Sequence, residues 1–195
     1  MAISSHLTLL TGIAGINVYI VRILKLPFDI SLHFYFFFFV GVIITGILKM
    51  FFYSSVGAGF LGTLGSSALL YVSIHWIILG NTINIPLLYI QGLLLGFGAS
   101  MTLVSGSMAT LLDGDLKEAA QRSQTMHTIR NFSAAMLIPI IAYTIKNHIQ
   151  KGTQSIYAEN ITDKMIYLKK LQDVAIDADH QIFLLMIIFN MVMFV

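Results

Sequence analysis

The chain has 195 residues, 57% of them hydrophobic and only 10% charged, with a net charge of +2. Soluble domains carry about 25% charged residues, so this chain cannot clothe a water-facing surface. A mean hydropathy of +0.84, 14 Phe and 3 Pro exclude a disordered, collagenous or basic nucleic-acid-binding chain, and the absence of Cys excludes disulfide and thiolate chemistry.

In chain order, residues 6–24 are apolar except for Asn17 and Arg22. They are long enough to cross the roughly 30 Å of bilayer hydrocarbon. No Lys or Arg precedes them and no small-residue cleavage site follows, so a retained helix is expected, with Arg22 snorkelling outward. Residues 33–53 open on the run from Phe34 to Phe39 and close near Lys49 and Tyr53. Such a run has no polar face and meets lipid nearly all round. Ser54, Gly57 and Gly59 then predict a tight turn.

Residues 60–79 carry Gly62, Gly65, Ser66 and Ser67, which predict close helix contact, and Trp76 as an anchor at headgroup level. Gly80, Asn81 and Asn84 predict the next turn. The span Ile85–Leu112 has Pro86 in its first turn, where a missing N–H is harmless, and Gly92, Gly96 and Ser100 along one side as helix-packing residues. Residues 125–145 begin polar with His127, Arg130 and Asn131 and are expected to kink at Pro139.

A long polar loop is expected over 149–179. Inside it Ile161, Met165, Leu168, Leu171 and Val174 recur at near-helical spacing opposite Lys164, Lys169, Lys170 and Asp173. That pattern fits an amphipathic helix on the membrane surface or, equally, a solvated helix docked on neighbouring loops. Asn160, Ile161 and Thr162 form a glycosylation sequon, a match too common to assign a compartment. Residues 181–195 fall short of the roughly 20 residues of a membrane helix, and are expected to end inside a span.

The reading is an all-α, polytopic transmembrane helix bundle of about six spans, a single transmembrane domain over 1–195 with the lipid bilayer as its partner. All 9 acidic residues are assigned to connections, so no span offers the buried carboxylate that proton-coupled carriers use. His33 and His75 form one weak pair at a matched depth, while His127 and His148 lie at opposite ends of a span. No metal, cofactor or enzymatic reaction is expected. A guanidinium within a span is costly, so Arg130 either snorkels toward the loop holding Asp113, Asp115 and Glu118 or faces a water-filled path. Gln91 is either glue between helices or part of a polar cavity.

Pro86 with Tyr89, Ile90, Gln91 and Gly92, the acidic turn Asp113-Gly114-Asp115, Arg122-Ser123 and the helix opening from Thr125 to Asn131 together carry a resemblance. The stretch 86–146 resembles the closing third of the multidrug proton antiporters of the major facilitator superfamily, the branch with fourteen spans. That branch has an Arg at the position of Arg130 and a long polar loop before its final span. Residues 49–59 lack the Asp and Arg of the superfamily's basic loop.

The resemblance implies the C-terminal part of a carrier, a secondary active transporter for efflux of a drug or small molecule. Its absent N-terminal half, or a partner membrane protein, would complete it in the cell (inner) membrane. Gln91, Arg130, Asn131 and His127 would line or gate the path. The resemblance also puts the loop after Leu112 in the cytoplasm, opposite to the count of Lys and Arg. The rival expectation is a small, non-transporting assembly or regulatory subunit acting through Gly92, Gly96 and Ser100.

Overall fold

A computed structural model describes residues 1–78, 83–112, 114–158 and 164–193. Gly80 and Asn81, Asp113, the sequon at Asn160 and the terminal Phe194 and Val195 lie outside the described residues. Among the described residues there are helices and no strand.

Five helices are long and apolar enough to cross a membrane: α1 (Ala2–Ile23), α2 (Phe28–Ile77), α3 (Ile85–Leu112), α4 (Ala119–Ala158) and α5 (Lys164–Val192). A straight helix of α2's 50 residues would run about 75 Å. Yet the rings of Phe34 and Trp76, near its two ends, lie 6.3 Å apart. The chain therefore doubles back. It does so at Gly57, whose φ of 80° and ψ of 161° suit a residue without a Cβ. An outgoing arm (28–56) and a return arm (58–77) result, and the expected turn near Gly57 is where the reversal occurs.

α3 packs into the angle between these arms at backbone distance. Gly41 faces the Leu93 carbonyl, Gly92 and Gly96 face the carbonyls of Phe34 and Phe38, and Gly65 meets Gly98. Close approach brings polar atoms into reach. Thr45 Oγ1 donates to the Phe97 carbonyl at 3.1 Å, and Lys49 Nζ donates to the carbonyls of Ser100 and Met101 at 3.0 Å each. Lys49 thus turns inward, toward α3.

α1 and α5 complete the core, where Tyr19, Phe34, Leu69, Trp76, Leu95 and Phe183 are buried together. Outward faces keep large apolar side chains exposed, among them Phe36, Phe39, Phe51, Phe132 and Tyr143. Lipid tails are as apolar as leucine, so such faces cost nothing in a bilayer.

The last third departs from expectation. Instead of a long polar loop over 149–179, α4 continues to Ala158 and α5 begins at Lys164. The two pair as an antiparallel hairpin, with Gly152 against Val174 and the rings of Tyr157 and Tyr167 6.1 Å apart. The narrow apolar stripe expected of a surface helix is spent on this pairing and runs on into the final span. That span is accordingly a 29-residue helix, so the shortness expected of it disappears. α4, at 40 residues, spans about 60 Å, twice the hydrocarbon thickness, so part of the hairpin extends beyond the bilayer.

Candidate functional site

Merging the polar stretch with the last span moves Asp179 from a connection into a helix wall. Its carboxylate is buried, with 1% of the residue exposed, and neither oxygen has a hydrogen-bond partner among the described residues. This corrects the expectation that every acidic residue lies in a connection. Hydropathy places Asp179 with the polar residues before it, but helical continuity from Lys164 turns it toward α1 and α4.

Opposite Asp179, the final turns of α1 leave the α-helical register. Val18–Ile23 is π-helical, with the Leu24 N–H donating to the Tyr19 carbonyl at 2.9 Å. Inserted turns of this kind recur at functional sites because they re-aim side chains. Here Tyr19 is buried and close enough to Asp179 to interact electrostatically. A cleft of about 200 Å³ lies alongside, lined by Val18, Arg22, Ile23, Ile145, Ala175 and Asp179. The Asp179 carboxyl group and the Arg22 side chain thus share the wall of a small, otherwise apolar space. Sequence reasoning missed Asp179; its distance of two residues from Asp177, in a run of helix-compatible spacing, was the only available signal.

The second polar centre lies toward the other end of α1. Arg130 is 8% exposed, and its Nη2 donates to Ser107 Oγ of α3 at 3.1 Å. His6 of α1 lies within electrostatic reach. In the turn before α4 it is Arg122, not Arg130, that makes the contacts. Arg122 Nη2 donates to the carbonyls of Leu111 and Asp115 at 3.1 and 2.8 Å, and its Nη1 lies 3.7 Å from Glu118. This closes the turn around Gly114, whose φ is 94°.

The other sequence-derived candidates divide. Gln91 is buried between helices, its Oε1 accepting from Trp76 Nε1 at 2.8 Å, so Trp76 lies in the core rather than at headgroup level. His127 and Asn131, one turn apart on α4, are exposed, whereas Arg130 beside them is buried. Gly92 and Gly96 lie against α2, and Ser100 contributes its carbonyl to Lys49. The paired histidines have separate neighbours: His33 contacts the Asp29 carbonyl and the Tyr89 ring, and His75 stacks on Tyr71. Among the described residues no three His, Asp or Glu side chains gather as metal ligands.

Apolar helices of spanning length, packed through small residues around a few buried polar groups, define a multi-pass integral membrane protein of the all-α class. Compared with known proteins, the chain matches no family model, no curated protein and no solved structure.

Proposed function

We propose that the chain works in membrane transport, as part of a secondary active transporter that exports a drug or other small molecule across the cell (inner) membrane. The carrying observation is Asp179, a carboxyl group inside a helical bundle with no hydrogen-bond partner among the described residues and a cleft beside it. Ionisable groups at such positions are costly, and in membrane proteins they mark ion and proton pathways. Asp179 would take up a proton from one side and release it to the other. The resemblance of 86–146 to proton antiporters supports the same reading, with the absent carrier half supplying the rest of the path.

Efflux of ethidium from proteoliposomes holding the complete carrier, driven by an imposed pH gradient, tests the assignment. Asp179→Asn is expected to abolish gradient-driven efflux while ethidium still equilibrates downhill. Efflux at the unaltered rate in that variant refutes the reading.

The rival reading, an assembly or regulatory subunit acting through Gly92, Gly96 and Ser100, finds less support. α2 of the same chain already covers both glycines.

A further inference from the structure

Arg130 presents a separate problem of charge. Its guanidinium carries five N–H donors and cannot lose its proton in a protein. The described residues supply one hydroxyl, Ser107 Oγ, and no carboxylate within ion-pair distance. Nε is buried and has no partner among the described residues, in a residue only 8% exposed. Among the described residues the acids of the preceding loop are engaged elsewhere: Glu118 faces Arg122, and Asp115 accepts from the Lys117 N–H at 3.1 Å. A fixed, buried positive charge with a free donor calls for an anion.

A place for one lies within a helical turn. Between the start of α1, the end of α3 and the start of α4 is a cavity of about 810 Å³, large enough for a drug-sized molecule. Thr110 in its wall is three residues beyond Ser107 on α3, and Met126 and Ile129 precede Arg130 on α4. Ala2 and Ile3 add apolar surface, Ser4 and Gln121 add polar atoms, and Glu118 and Arg122, already facing each other, add a charged pair. The apolar side chains of α1 and α4 suit the apolar part of an amphiphile.

We propose that Arg130 and Ser107 form a binding site for the oxyanion of an amphiphile, a carboxylate or a phosphate, whose apolar part occupies this cavity. The guanidinium supplies a charge-assisted hydrogen bond through Nε, the Ser107 hydroxyl holds Arg130 in position, and His6 offers a further donor. The site is independent of the Asp179 cleft and of the carrier reading, because it predicts binding in a chain that moves nothing.

Titration calorimetry on the full chain in maltoside micelles compares octanoate with octanol, and nanodiscs compare phosphatidylglycerol with phosphatidylcholine. The expected result is preference for the anionic member of at least one pair. Arg130→Gln should weaken it about tenfold or more, and Arg130→Lys should restore part of it. Preference confined to octanoate identifies a soluble amphiphile as the source of the oxyanion, and preference confined to phosphatidylglycerol identifies a lipid headgroup. Equal binding within both pairs by the unaltered chain overturns the proposal even if Arg130→Gln fails to fold. So does a full anion preference in a folded Arg130→Gln variant.

Discussion

The indole of Trp76 and the side-chain amide of Gln91 hold α2 and α3 together through a buried 2.8 Å hydrogen bond, Nε1 donating to Oε1. Gln91→Ala leaves that N–H inside the core without an acceptor, at a cost of about 1–3 kcal/mol. Thermal unfolding in detergent should show the loss. Trp76 is the chain's single Trp, so its fluorescence reports the same event. Trp76→Phe combined with Gln91→Leu should cost less than the sum of the separate changes.

Gly96 and Gly46 offer a paired test of the α2–α3 seam. A Cβ at Gly96 would run into the Phe38 carbonyl, which is backbone and cannot swing aside, whereas a Cβ at Gly46 meets nothing within 4 Å. Gly96→Ala should destabilise the chain by about 1–3 kcal/mol or more. Gly46→Ala should be neutral or stabilise by up to about 1 kcal/mol, because alanine favours the helix. Denaturation of the two variants side by side reads the difference.

At Gly57 the strain is in the backbone rather than in space, since nothing lies within 4 Å of a Cβ there but φ is 80°. Gly57→Ala should cost about 1–3 kcal/mol. The return arm should then become easier to digest with protease near residue 57, and equal cleavage in both forms would contradict the reversal.

Asp179→Asn keeps the shape of the side chain and removes an ionisable group whose oxygens have no hydrogen-bond partner among the described residues. A buried, uncompensated charge costs more than a buried amide, so the substitution should raise thermal stability by an amount on the order of 1 kcal/mol above neutral pH. A variant less stable than the parent at pH 8 would mean that the carboxylate is engaged after all.

Much of this fold is readable from residue order. Runs such as Phe34 to Phe39 are too apolar for any solvent but lipid, and Ser54, Gly57 and Gly59 interrupt the pattern where the chain reverses. Residues 149–179 misled because hydropathy registers which residues are polar, not what they pair with. Val174 packs against Gly152 across a hairpin whose partners are 22 positions apart, a relationship no local window contains. Asp179 was hidden by the same shortfall, and the bond between Arg130 and Ser107 joins helices on either side of a turn.

The seam between α2 and α3 has a mechanical consequence. Carbonyls seated against glycine Cα atoms from Gly41 to Gly65, with Lys49 bonded across, leave these arms no room to slide. They behave as one plank. Spectroscopic labels at Phe39 and Ile90 should keep a fixed separation under every condition, and any change of shape has to show as altered distances from that plank to α4.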